Sequence, residues 1–391
     1  MKKITLLFSI AIATSAFAQQ QYHVGCIGFY NLENLFDTIN SGVEIDFSKT
    51  WGEEGFTQEV EFGENEAELP DFDLGDANFA SLEGTEQYDS RDEDNMPGGS
   101  RQYTTDVYRD KLDRLAEVVS RVGTELTPDG LSLLGISEIE SRKVLEDFVK
   151  HPLLKDRNYQ IVHFSSLDFR GIDVGLLYNP KYFTLENART LPVKMQQKDS
   201  LSMRYTRDIL MVSGKYDGET VHVFVNHWPS RRGGEAATTK YRQAAAAVCK
   251  NIIDSLTAID PNVKVLVMGD FNDDPISPSV KDVLQAKAKK GQVKDGGLYN
   301  PWVDFYKKGI GTLSYRGAWN LFDQIIMSSG WLDEKQSGYR LHTCEIYNER
   351  YLMNRFGQYK EGPLRSYGGA RYLGGYSDHF PVYMYVVKAV N

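Results

Sequence analysis

The chain has 391 residues, of which 41% are hydrophobic and 12% aromatic, so it is long enough to bury one large core or two smaller ones. Its three cysteines allow at most one disulfide and match no C-x-x-C spacing, which excludes a disulfide-organised scaffold and a cysteine-based metal site. The formal net charge of −10 is misleading, because a single segment of the chain carries it.

The first residues have the pattern of a secretory signal. Two lysines are followed by an apolar stretch too short to span a bilayer, and an Ala-Phe-Ala cleavage site ends at Ala18. We therefore expect residues 1–18 to be a signal peptide and the mature chain, beginning at Gln19, to be exported to the periplasm or the extracellular space. No later stretch is long and apolar enough for a transmembrane helix, so stable membrane insertion is not expected.

An acidic segment follows the first predicted strand. Between Glu44 and Asp94 the sequence has 18 acidic residues and two basic ones. Subtracting these from the totals of 54 and 44 leaves 36 acidic and 42 basic residues, so the rest of the chain is mildly basic, consistent with a phosphate-bearing substrate. We interpret residues 40–105 as an acidic insertion in a single domain spanning 19–391, because no linker or internal repeat divides the chain.

The remaining predicted elements alternate between helix and strand. The helix at 108–123 has a continuous apolar face that includes Leu112, Leu115 and Val119. Such alternation predicts an α/β fold with mixed sheets. In chain order we predict a strand at 24–32, a helix at 108–123, a strand at 131–140, a helix at 144–154, strands at 159–164 and 172–180, a hairpin at 209–228, a long helix at 238–256, and strands at 263–272, 321–328 and 380–387.

The stretch VMGDFNDDP places several polar residues directly after an apolar strand. Val263–Met268 is nearly uninterrupted in hydrophobicity, as expected of a strand buried on both faces. Gly269 provides a turn, and Asp270 and Asn272 lie two residues apart, so that their side chains point the same way in an extended chain. Two oxygen ligands side by side suit Mg²⁺ or Mn²⁺. Because Asp and Asn are also common turn formers and helix caps, this stretch alone leaves both interpretations open.

Other predicted strands also end in groups suited to metal or phosphate chemistry. Each has a structural explanation when taken alone, since Asp forms turns and a lone His is often a hydrogen-bonded structural residue. Together they supply a carboxylate-rich metal site, two histidines and carboxylates to orient them, as metal-assisted phosphoester hydrolysis requires. They are Asn31 and Glu33 in FYNLEN, Glu138 in SEIE, Asn226 and His227 in VNHW with Arg231 and Arg232 beyond, Asp323 in LFDQ, and Asp378 and His379 in SDHF.

These motifs resemble those of the endonuclease/exonuclease/phosphatase superfamily, which includes DNase I, abasic-site endonucleases, neutral sphingomyelinases and inositol polyphosphate 5-phosphatases. The resemblance runs from about Ile27 to the C-terminus, apart from the acidic insertion, and its most specific parts are GDFN and the later SDH. It implies an α/β four-layered sandwich, in which two mixed β-sheets pack face to face with helices outside, as in DNase I. It also implies phosphoester hydrolysis with Mg²⁺ or Mn²⁺.

The resemblance further implies a metal site. Glu138 resembles the main metal ligand of the superfamily, and Asn31, Asp270, Asn272 and Asp378 are expected to complete or flank the site. The cation would neutralise the charge of the phosphate and stabilise the charge that develops in the transition state.

The same resemblance implies the catalytic and phosphate-binding residues. His379 resembles the catalytic histidine, which accepts a proton from water once Asp323 fixes its tautomer. His227 resembles a second histidine that stabilises or protonates the leaving group. Asp270 and Asn272 are also assigned to catalysis, and we expect the substrate phosphate to contact Arg207, Asn226 and Arg231.

The sequence leaves the substrate open. Our leading hypothesis is a secreted, monomeric phosphodiesterase acting on nucleic acid, and the alternative is a sphingomyelinase-like or inositol-phosphate phosphoesterase. NHWPSRRGG resembles a loop of bacterial sphingomyelinases, but the sequence gives no sign of the exposed aromatic hairpin that membrane docking needs. The Tyr- and Arg-rich residues 347–376 form either a substrate wall or a solvated loop. A non-catalytic binding protein on the same fold is the remote alternative, and the intact motifs argue against it.

Overall fold

The computed structural model describes residues 20–39, 94–168, 170–196, 203–315, 317–333 and 338–390. The predicted signal peptide and most of the predicted acidic insertion lie outside these residues. The last part of that insertion is described, and it is packed: Asn95 is 1% exposed and Tyr103 is fully buried. These two side chains attach the end of the predicted insertion to the folded domain, and most of the residues between them are partly or fully exposed.

The described residues contain four α-helices. The first begins where the side chain of Thr104 accepts a hydrogen bond from the N–H of Val107 at 3.3 Å, a typical N-cap. This first helix starts three residues earlier than predicted. The third helix extends the predicted long helix at 238–256 by three residues at each end. The helices are α1 (Thr105–Arg121), α2 (Arg142–Val149), α3 (Glu235–Ile259) and α4 (Trp302–Lys307).

The strands vary from two to fourteen residues in length. In chain order they are β1 (Tyr22–Leu35), β2 (Leu133–Ile139), β3 (Gln160–His163), β4 (Asp173–Tyr178), β5 (Phe183–Leu191), β6 (Met195–Gln196), β7 (Met203–Arg204), β8 (Ile209–Tyr216), β9 (Glu219–His227), β10 (Lys264–Asp270), β11 (Leu298–Tyr299), β12 (Leu313–Tyr315), β13 (Ala318–Asn320), β14 (Asp323–Ser328), β15 (Arg340–Ile346), β16 (Tyr367–Gly368), β17 (Arg371–Tyr372) and β18 (Val382–Ala389). All strands predicted from the sequence are present.

Twelve of these strands form two six-stranded sheets. Sheet I has the order β15-β18-β1-β2-β4-β3, and sheet II has the order β11-β14-β10-β9-β8-β5. Each sheet has one parallel pair at its centre, β1 with β2 and β9 with β10. All other pairs in the two sheets are antiparallel. The predicted mixed sheets are confirmed.

The two sheets pack face to face through their central strands. Strands β1, β2 and β4 of sheet I contact β9, β10 and β14 of sheet II. At the closest approach Gly135 faces Met268, and a Cβ on Gly135 would lie only 2.5 Å from the methionine sulfur. A side chain at this position would therefore push the sheets apart, which explains the glycine in LLGISEIE.

Helices cover the outer faces of both sheets. The apolar face of α1, with Leu115 and Val119, packs against β1 of sheet I. Helix α3 buries Ala245 and Cys249 in a cluster with Phe224 and other side chains of sheet II. This arrangement confirms the predicted four-layered α/β sandwich. All three cysteines are buried and unpaired, so no disulfide organises the fold.

Several tyrosines of the Tyr- and Arg-rich segment pack on α1. Their hydroxyls and rings contact charged side chains of the helix, so this part of the segment is held against α1, and the substrate-wall interpretation of the whole segment stays a prediction. Cation–π contacts and hydrogen bonds at such a partly exposed surface hold the segment in place. The contacts are Arg121 over the ring of Tyr351 at 5.0 Å, Arg114 over the ring of Tyr376 at 5.6 Å, and hydrogen bonds from the hydroxyls of Tyr372 to Asp110 and of Tyr376 to Glu117.

The polar strand ends meet at one edge of the sandwich. In sheet II, Asp270 at the end of β10 pairs with His227 at the end of β9 and with Asp323 at the start of β14. In sheet I, Asn31 near the end of β1 pairs with Ser137, one residue before Glu138. The fold therefore brings residues from both sheets to a common edge.

Candidate active site

The turn after β10 fixes the position of the Asp270 carboxylate. Gly269 has a φ of +155°, and a Cβ there would lie 2.2 Å from the backbone oxygen of Asn226, so only glycine fits between the parallel strands. Asn272 has a left-handed backbone with a φ of +49°, and its N–H donates to Oδ1 of Asp270 at 2.9 Å. Its side-chain Nδ2 donates to the backbone oxygen of Trp228 at 2.9 Å. The polar residues of VMGDFN thus build a rigid corner at the sheet edge.

His379 and Asp323 form a buried pair across the two sheets. Nδ1 of His379 lies 2.7 Å from Oδ2 of Asp323, and the two residues are 7% and 0% exposed. The backbone N–H of His379 donates to Oγ of Ser377 at 3.1 Å, and this hydroxyl donates to the backbone oxygen of Asn31 at 2.7 Å. The carboxylate orients the imidazole so that Nε2 points into the site, as a general base requires.

Three carboxylates surround the Nε2 atoms of the two histidines. We name Glu138, His227, Asp270, Asp378 and His379 the catalytic centre. Oδ2 of Asp270 lies 3.5 Å from Nε2 of His227 and 3.9 Å from Nε2 of His379. Oε1 of Glu138 lies 3.8 Å from Nε2 of His227, and Oδ1 of Asp378 lies 3.9 Å from Nε2 of His379. The structure therefore brings together five residues from four separate segments of the chain, since Asp378 and His379 are consecutive.

The negative charge of the centre alters its protonation. Burial raises the pKa of Asp270 to about 7, and His379 opposes this rise while Asp323 adds to it. Burial alone would lower the pKa of His379, but the charges of Asp323 and Asp270 raise it well above its usual value. The raised pKa values of Asp270 and His379 favour protonation of these two groups unless another cation compensates the negative charge.

The donor set of the centre fits a divalent cation. Asp270, Asp323 and His379 offer atoms that all lie within 4.8 Å of one another and could hold a metal. In this group Oδ2 of Asp323 is already bonded to His379, and Asp270 offers an oxygen ligand of the kind that Mg²⁺ and Mn²⁺ prefer. Metal ligation by Glu138, Asp270 and Asp378 stays a prediction. Oδ1 of Asp323 is buried without a hydrogen-bond partner among the described residues, which adds uncompensated negative charge beside them.

The backbone of the site is unusual at four non-glycine residues. Besides Asn272, the left-handed residues are Glu33, Asn34 and Glu138, with φ of +49°, +56° and +62°. The N–H of Asn34 donates to Oε2 of Glu138 at 3.0 Å, and Glu138 lies at an irregularity where β2 shifts its register with β4. Such conformations cost about 1–3 kcal/mol each, so the surrounding structure must hold them. The bulge therefore aims the Glu138 carboxylate into the centre.

The end of β1 supplies a second buried acid, Glu33. Its carboxylate accepts hydrogen bonds from the N–H groups of Ser366 at 2.6 Å and Tyr367 at 3.2 Å. Burial raises the pKa of Glu33 to about 7. Lys111 is fully buried beside it and donates to the Glu33 backbone oxygen and to Oγ of Ser366. Sequence reasoning missed Lys111, although it lies four residues before Leu115 and hence on the apolar face of α1.

Asn31 lies against the catalytic centre and orients it. Its Nδ2 donates to Oδ2 of Asp270 at 3.2 Å, and its Oδ1 accepts the N–H of Glu33 at 2.9 Å. These bonds hold the Asp270 carboxylate in place. Metal ligation by Asn31 and Asn272 stays a prediction.

The structure places Arg207 behind the site. The side chain is 4% exposed, and its Nη1 donates to Oδ2 of Asp168 at 2.9 Å. Nε donates to the backbone oxygen of His227 at 3.1 Å, and Nη2 donates to that of Trp228 at 2.7 Å. The predicted phosphate contact is therefore not supported, because the buried guanidinium binds protein atoms and holds the segment that carries His227.

The predicted phosphate contact of Asn226 is wrong. Its Nδ2 donates to the backbone oxygens of Phe224 at 3.0 Å and Met268 at 3.1 Å, and its Oδ1 accepts Nε1–H of Trp228 at 2.9 Å. The residue is fully buried. Because successive side chains of a strand point to opposite faces, Asn226 and His227 cannot both face the catalytic centre.

Arg231 belongs to a second group of charges below the turn. We name Asp273, Asp274, Arg231 and Arg242 the arginine cluster. Nη2 of Arg231 lies 3.0 Å from Asp274 and 3.3 Å from Asp273, and Nε of Arg242 lies 2.7 Å from Asp273. Nε of Arg231 also donates to the backbone oxygen of Asn272 at 2.9 Å, so the cluster clamps the turn. The side chain of Arg231 is 20% exposed, and phosphate binding by this residue stays a prediction.

A short aromatic hairpin lies beside the His379–Asp323 pair. Strands β12 and β13 expose Tyr315 at 60% and Trp319 at 36%. The ring of Trp319 stacks on that of Phe380, the residue after His379, with 6.2 Å between centroids. This exposed hairpin is not predicted from the sequence. Its strands have three residues each, too few for periodicity to predict.

Several solved structures are similar to this chain. Truncated Caenorhabditis elegans TDP2 is 16% identical, with 71% of this chain and 91% of that chain covered and a TM-score of 0.44. The human Nocturnin catalytic domain is 14% identical, with 66% of this chain and 82% of that chain covered and a TM-score of 0.41. An endonuclease/exonuclease/phosphatase from Bacteroides vulgatus is 16% identical, with 71% of this chain and 90% of that chain covered and a TM-score of 0.42. Their TM-scores are too low to support an argument about function. No curated protein matches the chain, and none of the described helices has the length and hydrophobicity needed to cross a membrane.

The assignment rests on a match to a family model. The model of the Endonuclease/Exonuclease/phosphatase family matches residues 78–388, well over half of the chain. The matched range includes Glu138, His227, Asp270, Asp323 and His379, whereas β1 lies outside it. The chain therefore belongs to the endonuclease/exonuclease/phosphatase family of phosphoesterases.

Proposed function

We propose that this chain is an exported, divalent-metal-dependent phosphodiesterase that hydrolyses nucleic acid, with His379 as the general base. The observation that carries the proposal is the 2.7 Å pair of His379 and Asp323, whose free imidazole edge faces the carboxylates of Asp270 and Asp378 at 3.9 Å. Export rests on the predicted signal peptide, and the substrate on the chemistry argued below.

The residues of the chain account for the proton movements of hydrolysis. His379 accepts the proton of the attacking water at Nε2, while Asp323 stabilises the resulting imidazolium. As the new P–O bond forms, the bond to the leaving oxygen breaks and that oxygen needs a proton or a hydrogen bond. His227 can donate the proton or the hydrogen bond from Nε2. This atom lies 3.5 Å from Oδ2 of Asp270, and the same oxygen lies 3.9 Å from Nε2 of His379.

Glu138, Asp270 and Asp378 would hold the cation. When bound, Mg²⁺ or Mn²⁺ supplies the positive charge that offsets the charge of the phosphate and of the transition state. Arg365 donates from Nη2 to Oδ2 of Asp378 at 2.8 Å, so the other oxygen of this carboxylate is directed towards His379. Asn31 and Asn34 similarly fix one oxygen each of Asp270 and Glu138.

Two substrate classes remain in competition. The mildly basic composition outside the acidic segment favours a polyanion such as nucleic acid. The exposed hairpin with Tyr315 and Trp319 also suits a membrane interface, which favours a lipid phosphoester as the second candidate. Both candidates use the same catalytic residues, so only substrate turnover separates them.

The test is a substrate panel with the mature chain. We would incubate it with plasmid DNA, single-stranded DNA, RNA, sphingomyelin, inositol phosphates and bis-p-nitrophenyl phosphate, in Mg²⁺, Mn²⁺ or EDTA. We expect nucleic-acid cleavage that EDTA abolishes and that His379→Ala reduces by about 10²–10⁴-fold.

The control is His342→Ala, which removes an exposed histidine on β15. Full activity of His379→Ala would refute the assignment of the general base. Turnover of sphingomyelin or inositol phosphates without nucleic-acid cleavage would show that the second candidate is correct.

A further inference from the structure

The aromatic hairpin continues into a second exposed segment. Gly362 lies against Ser314 of the hairpin, since a Cβ on Gly362 would be 3.1 Å from Cβ of Ser314. We name residues 313–320 and 354–362 together the aromatic rim. Its exposed aromatic side chains are Tyr315 at 60%, Trp319 at 36%, Phe356 at 86% and Tyr359 at 40%.

Thr312, the residue before the rim, hydrogen-bonds to Asp323 and to Phe380, which directly follows His379. The backbone oxygen of Thr312 accepts the N–H of Phe380 at 2.8 Å, and its Oγ1 accepts the N–H of Asp323 at 3.4 Å. The N–H of Thr312 donates to the backbone oxygen of Asn320 at 2.9 Å, which closes the hairpin. The rim therefore has a fixed position relative to His379.

Trp319 presents one supported and one open ring face. Its ring lies nearly parallel to that of Phe380, at 23°, and Phe380 is 1% exposed. Phe380 follows His379 directly, and consecutive Cα atoms are about 3.8 Å apart. A base attached next to the phosphate under attack can therefore reach the open face of Trp319 and stack on it.

The charge around the rim differs from that of the catalytic centre. The described residues 304–315, 317–320 and 353–362 include four basic and two acidic residues, and Nζ of Lys360 lies 3.6 Å from Oε1 of Glu361. A phosphate chain that leaves the acidic centre along the rim would thus meet a small excess of positive charge together with aromatic rings, as in other single-strand binding surfaces. The basic residues are Lys307, Lys308, Arg355 and Lys360, and the acidic ones are Asp304 and Glu361.

We propose that the aromatic rim binds single-stranded nucleic acid and that Trp319 stacks on the base adjacent to the scissile phosphate. This inference rests on the proposed function and names its substrate. Single strands are preferred over duplexes, because the bases of a duplex are already stacked and paired. A membrane is the less suitable occupant, because the Trp319 ring lies flat on Phe380 instead of projecting from the surface.

The experiment measures binding without turnover, in the full mature chain carrying His379→Ala. Fluorescence of Trp319 reports contact once Trp51 is also replaced by Phe, since the other three tryptophans, Trp228, Trp302 and Trp331, are at most 1% exposed. The probes are a short oligothymidylate, the same sequence as a duplex, and vesicles of phosphatidylcholine with sphingomyelin. We expect quenching by the single strand, with weaker binding of the duplex and none of the vesicles.

Trp319→Ala is expected to weaken single-strand binding by about tenfold or more, and Trp319→Phe to retain most of it. Tyr22→Ala, which removes an exposed aromatic side chain at the start of β1, is the matched control. Unchanged thermal unfolding of each variant excludes a loss of fold. Equal binding of Trp319→Ala and its parent, equal binding of single strand and duplex, or rim-dependent binding of vesicles alone would overturn the inference.

The outcome separates this inference from the proposed function. Cleavage of nucleic acid by the active chain, with binding insensitive to Trp319, would refute the rim and leave the phosphodiesterase assignment intact. Trp319-dependent binding of single strands without any cleavage by the active chain would refute the nuclease and leave the rim intact.

Discussion

Two groups of buried acids lie on either side of the turn after β10, and they differ in how their charge is compensated. In the arginine cluster, Asp273 and Asp274 lie 2.7–3.3 Å from the guanidinium groups of Arg231 and Arg242. In the catalytic centre, the closest approach of a histidine Nε2 to a carboxylate is 3.5 Å, between His227 and Asp270. Asp270 and Asp273 are three residues apart and have opposite environments.

The difference shows how neighbouring acids acquire different roles. Where the chain supplies permanent cations, buried carboxylates are neutralised and act as structural clamps. Where it supplies only imidazoles, as at Asp270, the buried carboxylate either retains a proton or requires an external cation. Burial raises the pKa of both Asp270, to about 7, and Asp273, so the two sites differ in their cation partners rather than in the direction of this shift. We therefore expect substitutions in the arginine cluster to change stability, and substitutions in the catalytic centre to change activity and metal binding.

The largest expected effect comes from separating His379 from its carboxylate. Asp323→Asn should lower kcat by about 10²–10⁴-fold, because Nε2 loses the orientation and charge that make it a base. The Asp323 charge raises the pKa of His379, so the acidic limb of the pH–rate profile should move to lower pH in the variant. Steady-state kinetics from pH 5 to 9 would test this, and an unchanged profile would contradict it.

The arginine cluster should respond in stability rather than in metal binding. Arg242→Met leaves the buried Asp273 without its closest cation and should lower the free energy of unfolding by about 3–5 kcal/mol. Urea denaturation measures the change, with Arg232→Met at an exposed neighbouring position as control. A loss equal to that of the control would show that Asp273 needs no cation.

Metal binding should depend on Glu138. Glu138→Gln keeps the shape of the side chain but removes its charge, and should weaken Mn²⁺ binding by about 10–100-fold or more. Isothermal titration with Mn²⁺ gives the affinity directly, and Asp273→Asn is a matched control because that acid is already neutralised. Equal Mn²⁺ affinity in Glu138→Gln and the parent would exclude Glu138 as a ligand.

The affinity for the cation should also depend on pH. Because burial raises the pKa of Asp270 to about 7, this carboxyl is protonated below pH 7 and must release its proton to bind metal. The apparent affinity should therefore rise by up to about tenfold per pH unit below pH 7 and level off above it. Titrations between pH 5.5 and 8 would show this, and a flat profile would contradict it.

The smallest expected effect concerns a histidine outside the catalytic centre. Burial lowers the pKa of His222 to about 4, and its Nδ1 is 2.7 Å from Oγ of Ser213. Because the unfolded chain takes up this proton near pH 6.5, the contribution of His222 to stability is complete above that pH. It falls towards pH 4 by at most about 1.4 kcal/mol per pH unit.

His222→Gln should flatten this part of the stability profile, as measured by denaturation between pH 4 and 7. His342→Gln, at an exposed position on β15, is the control. An unchanged slope in His222→Gln would show that other groups cause the pH dependence.

Much of the site was predictable because its residues stand at the ends of strongly patterned strands. Glu138, Asp270, Asp323 and His379 each adjoin an apolar run, and the structure brings all four together. The errors have a common origin. Asn226 was grouped with its neighbour His227, although alternate residues of a strand face opposite sides.

Other residues gave no local signal of their role. The aromatic hairpin consists of two three-residue strands, and Arg207 binds the backbone oxygens of His227 and Trp228 about twenty residues away. Lys111 was detectable from its position on the apolar face of α1, but its partner Ser366 is 255 residues away.

The sequence by itself determined the alternation of helices and strands and the chemical types at the strand ends, because hydrophobic periodicity and turn residues act over a few positions, whereas the layered sandwich followed from the resemblance to the superfamily. Only the tertiary structure decided which of these groups meet. The contact between His379 and Asp323 spans 56 residues and that between Asn31 and Asp270 spans 239, so both depend on the register of the strands and on the packing of one sheet against the other.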